Sequence, residues 1–222
     1  MIEEAIVPEA GLYRVARWPD PLVWPPWEFV GEGRFDDPQK TFRTLYAGEQ
    51  PRDCFVELLA RFRPSVVVLA RVREVTGATD SFPSTEIPVE WYRSRSIGRL
   101  RPGPNQRWLD LRSLATRQTL RSELAGSLVR LGLTDLDVSG IRSSNRELTQ
   151  TIARWAYEHG YNGIAYRSRL DDFSDCWAIF EGAQIEPIGL PRPIVLDNSD
   201  LRTVASIYGL RMPEYKKHDD GR

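Results

Sequence analysis

The stretch of sequence that decides the fold is GIAYRSRLDDFSDCWAIF, residues 163–180. Its two apolar runs, residues 163–166 and 177–180, have the length and the aromatic and β-branched content of buried strands. The charged residues 167–175 between them predict a surface loop. We therefore expect two neighbouring strands here, with Ser168 at the end of the first, a common place for ligand-binding groups.

An amphipathic helix is predicted immediately before these strands. Residues 144–147, with the sequence SNRE, have the pattern of a capping box, and Gly160 is a typical helix stop. Between them, apolar side chains recur at helical spacing, namely Leu148, Ile152, Trp155 and Ala156. His159 lies in the last turn, where the helix dipole favours a cation, so we expect a structural role for it.

The N-terminal half of the chain predicts further strands and one helix. Strands are expected at residues 12–17, at residues 44–47 and, because of a dense β-branched run, at residues 65–72. Pro51 suits the first turn of a helix. The buried stripe of that helix would consist of Phe55, Leu58, Leu59 and Phe62.

The rest of the chain adds short elements without a regular strand–helix alternation. Residues 77–104 are rich in Ser, Pro and Arg and are predicted to form an extended excursion with a short helix near residues 89–93. A strand at residues 108–111 precedes a helix expected over residues 113–131, and a last short helix begins near residue 198. This mixture predicts an α+β fold rather than a doubly wound one.

Length and composition fit one globular domain. The chain has 222 residues, of which 41% are hydrophobic and 27% charged. We assign residues 1–190 to this domain and residues 191–222 to a short helix and a polar tail. The net charge of −1 gives no reason to expect direct binding to nucleic acid or to a membrane. The acidic start Met1-Ile2-Glu3-Glu4 is unlike a signal peptide and predicts a cytoplasmic chain.

Cysteine and histidine are too few for several common kinds of site. Cys54 and Cys176 are the only cysteines and form no CxxC pair, so we expect neither a disulfide framework nor a metal site. The two histidines are His159 and His218, which lies in the polar tail. Neither is a credible base for a Ser-His-Asp or Cys-His mechanism. Any chemistry must therefore use carboxylates, hydroxyls and arginines.

Four short features are compatible with a ligand site. Gly31-Glu32-Gly33-Arg34 combines glycines, which let the backbone approach a ligand, with a guanidinium that can grip phosphate. Tyr46 lies in a predicted strand, Glu57 lies at the edge of a buried helix face, and Ser168 follows a strand. Each feature also has an ordinary structural interpretation, such as a turn with a surface arginine or a solvated glutamate. For any single feature, this ordinary interpretation is the favoured one.

Taken together and in order, these features resemble the RES-domain family, which is named for its Arg, Glu and Ser. The resemblance spans most of residues 12–181, and order and spacing make it far more specific than any single motif. It rests on Leu12-Tyr13-Arg14-Val15, Gly33-Arg34-Phe35, Thr44-Leu45-Tyr46-Ala47, Phe55-Val56-Glu57, Gly163-Ile164-Ala165-Tyr166-Arg167-Ser168 and Trp177-Ala178-Ile179-Phe180.

The resemblance implies a fold similar to ADP-ribosyltransferases, a mixed β core with flanking helices. It implies NAD⁺ as the substrate, with no cofactor. Family members look like toxins of bacterial toxin–antitoxin pairs, and their usual partner is an antitoxin with an Xre-type helix-turn-helix. For this chain the resemblance implies Arg34, Glu57 and Ser168 as catalytic residues, with Arg14 and Tyr46 joining these three as NAD-binding residues.

Two departures from the family pattern are visible. The family commonly has Gly-Arg-Trp-Asn where this chain has Gly33-Arg34-Phe35-Asp36. An acid beside a phosphate-binding arginine is expected to weaken its grip. The excursion at residues 77–104 and the tail after residue 190 also go beyond the family core, which leaves substrate access and partner contacts open.

The residues fit the chemistry of breaking the nicotinamide–ribose bond. This reaction passes through an oxocarbenium-like sugar, and nicotinamide leaves as a neutral base, so no general acid is needed. Arg14 and Arg34 would hold the pyrophosphate, and Tyr46 the cationic ring. Glu57 would stabilise the positive sugar. Ser168 would hydrogen-bond the nicotinamide-side ribose or shape the pocket.

Several alternatives stay open on the sequence. The acceptor of ADP-ribose can be water, phosphate or a protein, because all three reactions share the same cation. A catalytically silent nucleotide-binding or interaction domain is a further alternative. We expect an antitoxin carboxylate to close the cleft, with aromatic residues of the loop 18–27 either anchoring that partner or covering the core. A homodimer is also left open.

Overall fold

The computed structural model describes residues 1–77 and 85–213. In these ranges the strands are β1 (Leu12–Arg17), β2 (Thr44–Gly48), β3 (Arg95–Pro102), β4 (Trp108–Asp110), β5 (Gly163–Arg167), β6 (Asp175–Phe180), β7 (Ile185–Pro187) and β8 (Arg192–Pro193). The helices are α1 (Pro51–Leu59), α2 (Val66–Thr76), α3 (Val89–Arg93), α4 (Leu114–Glu123), α5 (Ala125–Arg130), α6 (Val138–Arg142), α7 (Glu147–Glu158) and α8 (Ser199–Ile207).

The strands form one mixed sheet. Its main path has the order β4-β5-β6-β2-β1-β3-β7, and β8 pairs with β3. Strands β4 and β5 run parallel, whereas the pairs β5–β6, β6–β2, β2–β1 and β1–β3 are antiparallel. The pairing of β2 with β6 sets Tyr46 opposite Ala178. It thereby brings the N-terminal motifs beside residues 163–180.

Side chains alternate between the two faces of the sheet, as a strand period of two requires. On β6, Cys176, Ala178 and Phe180 join a buried cluster with helices α4 to α7. Trp177 and Ile179 join a second cluster on the other face. A third cluster contains buried side chains of α1, α3 and α8. Helix α1 thus has a fixed position beside β1 and β2.

The α+β fold expected from the sequence is confirmed, together with its main elements. Strands β1, β2, β4, β5 and β6 lie at the predicted places. Helix α1 begins at Pro51, as predicted. The last helix also begins where expected, because the Asn198 side chain accepts a hydrogen bond from the backbone N–H of Leu201 at 2.9 Å.

The strand predicted at residues 65–72 is wrong, because this segment forms helix α2. Its N-terminus is capped by Ser65, whose Oγ accepts from the backbone N–H of Val68 at 3.3 Å, and it ends at Gly77 with a φ of +61°. No side chain of α2 is buried, and Val66 is 79% exposed. A β-branched run favours a strand only where a sheet can receive it. Here the local caps determine the structure instead.

The excursion at residues 77–104 contains a strand that was not predicted from the sequence. Strand β3 pairs with all of β1, from Leu12 opposite Leu100 to Arg17 opposite Arg95. Its buried positions include Ser96 and Gly98, so the usual apolar alternation is weak. Residues 78–84 of this excursion lie outside the described residues.

Two helix boundaries also differ from the prediction. The helix expected over residues 113–131 is interrupted at Leu124, which separates α4 from α5. The capping box expected at residues 144–147 is absent from the structure. Instead, Arg146 occupies the N-cap position, and its side chain makes no capping hydrogen bond. The backbone N–H of Glu147 donates to Asn145 Oδ1 at 2.9 Å.

The C-terminal helix packs onto the rest of the fold. Leu201, Val204 and Ala205 of α8 share a buried cluster with Phe55 and Leu59 of α1. The division of the chain at residue 190 stays a prediction. Among the described residues, no helix combines the length and apolarity needed to cross a bilayer.

Of the two histidines, the structure describes only His159. The imidazole of His159 stacks on the Trp155 ring at 4.0 Å between centroids, and its Nδ1 lies 2.8 Å from the Trp155 carbonyl oxygen. These contacts agree with the structural role expected for it. His218 falls outside the described residues.

Candidate functional site

A cleft of about 590 Å³ opens beside β1, β2, α1 and the loop at residues 31–34. Its volume lies in the usual range for small-molecule sites. The lining includes Tyr46, Tyr166, two glutamates, Glu32 and Glu57, and six arginines, namely Arg14, Arg17, Arg34, Arg61, Arg95 and Arg146. The cleft is therefore strongly positive, although the whole chain has a net charge of −1.

Glu57 and Ser168 form a direct pair at this cleft. Helix α1 places Glu57 in the lining, and the loop after β5 places Ser168 behind it. Ser168 is completely buried, and its Oγ donates to Glu57 Oε1 at 2.6 Å. The same Oγ accepts from the backbone N–H of Leu170 at 3.0 Å, which fixes the direction of its own proton. The carboxylate is thus held in one orientation by a hydroxyl that is itself held.

The sequence predicts that Ser168 either hydrogen-bonds the ribose or shapes the pocket, and the structure favours an indirect role. A ribose hydrogen bond requires Ser168 to reach the ligand, but its side chain does not line the cleft. Its hydroxyl contacts Glu57 instead. Ser168 can therefore affect a bound ligand only through the carboxylate it orients.

Arg14 and Arg34 are anchored by backbone carbonyls. Arg14 donates from Nε to Pro21 O at 2.8 Å and from Nη1 to Tyr46 O at 2.7 Å. Arg34 donates to Ser143 O at 2.8 Å and to Ile141 O. Each guanidinium has five N–H groups, so both retain free donors for a ligand.

Burial also changes the acid–base behaviour of these two arginines. It lowers the pKa of Arg14 to about 10, and it lowers the pKa of Arg34 as well. Removing a cation from water disfavours its charged form. With a pKa of about 10, Arg14 remains charged at neutral pH. The floor of the cleft thus carries a fixed positive charge that water screens poorly.

Asp36 organises the glycine loop. Its Oδ2 accepts from the backbone N–H groups of Gly31 at 3.1 Å and Gly33 at 2.8 Å, and its Oδ1 accepts from the Tyr46 hydroxyl at 2.7 Å. The Asp36 carboxylate thus accepts hydrogen bonds from two loop amides and from the phenol of Tyr46 on β2. Its expected weakening of the grip of Arg34 stays a prediction.

Tyr46 connects the sheet to this loop. Its hydroxyl donates to Asp36 and accepts from the backbone N–H of Phe35 at 2.9 Å. Burial, reinforced by the nearby Asp36 charge, raises the pKa of Tyr46 well above its ordinary value, so the phenol stays protonated. Gly33 packs so closely here that a Cβ would lie 2.3 Å from the Tyr46 hydroxyl oxygen. Only glycine fits at this position.

Four arginines and a tyrosine of the lining were not among the site residues predicted from the sequence. These are Arg17, Arg61, Arg95, Arg146 and Tyr166. Tyr166 belongs to the quoted motif, and its position two residues after Ile164 could have placed it on the same face of β5. Arg95 could not be placed without knowledge of β3, the strand that sets it opposite Arg17.

The tryptophans of the aromatic loop at residues 18–27 differ in their burial. Trp24 is partly buried and packs against the core cluster on one face of the sheet. Trp18 and Trp27 are 51% and 44% exposed. One tryptophan therefore covers the core, and two remain accessible to a partner.

Comparison with known proteins gives a family and a fold. Residues 12–202 match the family model described as RES domain. Among solved structures, a chain of the crystal structure of the M. tuberculosis MbcT–MbcA toxin–antitoxin complex is similar, with a TM-score of 0.56 and 11% sequence identity over 92% of each chain. At this identity the likeness concerns the fold alone. No curated protein matches the sequence.

Proposed function

Because the chain belongs to the RES-domain family, we propose that it is the toxin of a toxin–antitoxin pair and that it cleaves the nicotinamide–ribose bond of NAD⁺. The observation that carries this proposal is the Glu57–Ser168 pair, joined by a hydrogen bond of 2.6 Å. It places an oriented carboxylate in a cleft whose other charged groups are mostly arginines. This charge pattern suits a ligand with phosphates at one end and a developing sugar cation at the other.

The reaction needs few groups from the protein. The bond between the ribose C1′ and the nicotinamide nitrogen breaks, and its electron pair stays on that nitrogen, so nicotinamide leaves neutral. The ribose becomes an oxocarbenium-like cation, to which water or phosphate then adds. When water adds, one proton is released, and Glu57 can accept it.

Glu57 would supply the main electrostatic stabilisation. A carboxylate that is already oriented need not reorganise when the positive charge appears on the sugar. Ser168 would maintain that orientation, since its hydroxyl is held by Leu170 and donates to Glu57. In this scheme Ser168 is a positioning residue, and Glu57 is the group that faces the reacting atoms.

The anchored arginines and Tyr46 would bind the substrate. Arg14 and Arg34 retain free donors for the pyrophosphate. The Tyr46 ring, fixed through its hydroxyl, would face the cationic nicotinamide with a cation–π interaction of about 0.5–2 kcal/mol. This attraction disappears as the ring becomes neutral, so Tyr46 would orient the substrate more than it accelerates bond cleavage.

An active NAD⁺-consuming enzyme would harm its own cell, so the proposal includes an antitoxin of the Xre-type helix-turn-helix class. The positive cleft could accept a carboxylate of that partner through the same guanidinium geometry that binds phosphate. The exposed Trp18 and Trp27 would provide apolar contacts for such a partner.

The proposal is tested by incubating the purified protein with NAD⁺ and separating the products by chromatography. Free nicotinamide with ADP-ribose indicates hydrolysis, and nicotinamide with ADP-ribose phosphate indicates phosphorolysis. Nicotinamide with a modified protein indicates ADP-ribosyl transfer. If no nicotinamide is released by folded wild-type protein, the cleavage proposal is wrong. Glu57→Gln serves as the control for a contaminating activity.

A further inference from the structure

Three of the cleft arginines form a cluster that the proposed chemistry does not use. Arg17 on β1 lies directly opposite Arg95 on β3 in the antiparallel register. Arg61, in the 3-10 turn Ala60–Phe62 after α1, lines the same cleft. Burial and the nearby charges of Arg61 and Arg17 lower the pKa of Arg95. Arg95 is therefore repelled by both of the other arginines, and all three line one cleft.

This cluster lies at the mouth of the cleft. Arg17 and Arg61 are exposed, whereas Arg14 lies deeper, with two of its guanidinium nitrogens bonded to backbone carbonyls. Arg95 is oriented by the Trp91 carbonyl at 2.9 Å and lies over the Trp91 ring at 4.9 Å from its centroid. One member of the cluster is thus fixed, and the two others can adapt to a ligand.

No ion pair to the cluster is found in the part of the chain that the structure describes. Within residues 1–77 and 85–213, neither Arg17, Arg61 nor Arg95 forms an ion pair. A hollow on the other side of Tyr166 also contains arginines, but there Arg112 is paired with Asp110 and Glu49. Like charges directly opposite on neighbouring strands destabilise a sheet. The cluster at the mouth therefore costs stability and has no counter-charge of its own.

We propose that Arg17, Arg61 and Arg95 form a phosphate-binding site at the mouth of the cleft. Three guanidinium groups lining one part of a cleft suit a tetrahedral oxyanion, which offers several acceptors and up to two negative charges. A bound phosphate also removes the mutual repulsion of the three cations. The site rests on the proposed function in one respect, namely that the phosphate belongs to a dinucleotide.

Two parts of a dinucleotide carry the same phosphate chemistry. One is the pyrophosphate bridge, which every such ligand has and whose second phosphate Arg14 and Arg34 would hold in the same cleft. The other is the 2′-phosphate, which only the phosphorylated forms have. ADP-ribose and 2′-phospho-ADP-ribose separate these sources, because they differ in the 2′-phosphate alone. Inorganic pyrophosphate tests the site independently of any dinucleotide chemistry.

The test is calorimetric titration of inorganic pyrophosphate into wild type, Arg61→Gln and Arg17→Gln. Both residues are exposed, so these variants are expected to fold. Each should bind pyrophosphate about tenfold more weakly or worse, since a charge-assisted contact is lost. Arg101→Gln is the matched control, because Arg101 is exposed on β3 and is not part of the cleft lining. It should bind like wild type.

Thermal unfolding supplies a second readout. Without ligand, Arg61→Gln should melt at the wild-type temperature or above it, because one repelling charge is gone, whereas a structural arginine would lower that temperature. The affinities of Arg61→Gln for ADP-ribose and for 2′-phospho-ADP-ribose distinguish the two phosphate sources. An equal loss of affinity for both ligands assigns the site to the pyrophosphate bridge. A loss of affinity for the phosphorylated ligand alone assigns it to the 2′-phosphate.

The phosphate site and the proposed enzymatic function can fail separately. If wild type does not bind pyrophosphate, or if both variants bind it as Arg101→Gln does, the site proposal is overturned even when NAD⁺ is cleaved. If pyrophosphate binding depends on the cluster but NAD⁺ is not cleaved, the phosphate site stands and the proposed reaction fails.

Discussion

Replacing Ser168 by Ala tests whether a buried hydroxyl acts on catalysis through Glu57. The change removes the 2.6 Å hydrogen bond to Oε1 and leaves the backbone N–H of Leu170 without the acceptor it has at 3.0 Å. A hydrogen bond to a charged group contributes about 1.5–3 kcal/mol, so we expect the free energy of unfolding to fall by about 2 kcal/mol. For a chain of this size the melting temperature should fall by about 5 °C.

The larger effect is expected on turnover. Without its fixed donor, Glu57 can rotate away from the position where the sugar cation forms, and small misplacements of a catalytic group cost up to about a hundredfold in rate. We expect kcat for nicotinamide release to fall about tenfold to a hundredfold, whereas KM changes little because Ser168 does not line the cleft.

A second buried serine provides the control for this prediction. Ser174 is also completely buried, but its Oγ donates to Asp171 Oδ2 at 3.3 Å and has no contact with Glu57. Ser174→Ala should therefore lose stability and keep its kcat. If both folded variants have the same kcat, the argument that Ser168 acts by orienting Glu57 is refuted.

Three further predictions concern the charged groups of the site and its support. Glu57→Gln should keep the fold and NAD⁺ binding but lower turnover by about two orders of magnitude or more, because the charge facing the sugar cation is lost; unchanged turnover would remove Glu57 from the mechanism. Arg34→Ala should weaken NAD⁺ binding about tenfold or more in calorimetry, and wild-type affinity would exclude the phosphate role. Burial raises the pKa of Asp53 from 3.8 to about 6, so stability should fall as pH rises from about 4 to about 6. Asp53→Asn should abolish that fall in urea titrations, and an unchanged pH profile would show that Asp53 does not cause it.

The sequence predicts which residues form the candidate site, but it does not predict most of their contacts. Glu57 and Ser168 are 111 residues apart, and their hydrogen bond depends on how β2 and β6 bring α1 to the end of β5. Sequence motifs give residue types and order, whereas direct contacts depend on the packing of elements distant in the chain. The role of Asp36 shows this limit, since only the folded loop directs its carboxylate to Gly33 and Tyr46.

The errors in the fold prediction have a common physical origin. Helix α2 has a strand-like composition, but Ser65 and Gly77 cap it and no sheet edge receives it. Strand β3 has the opposite problem, because Ser96 and Gly98 occupy buried positions where an apolar signal would be expected. In neither segment does intrinsic strand propensity determine the outcome, because local caps determine the structure of α2 and pairing with β1 determines that of β3.

The hydrogen bonds of Asp36 have a consequence for the speed of ligand binding. Because the carboxylate joins Gly31, Gly33 and Tyr46, the loop that carries Arg34 is ordered when the chain folds rather than when a ligand arrives. Association slows when binding must wait for a conformational change. A ligand should therefore find Arg34 already positioned to bind phosphate. Its association rate constant should be set by diffusion and by the positive field of the cleft. That rate constant should decrease steeply as salt is added.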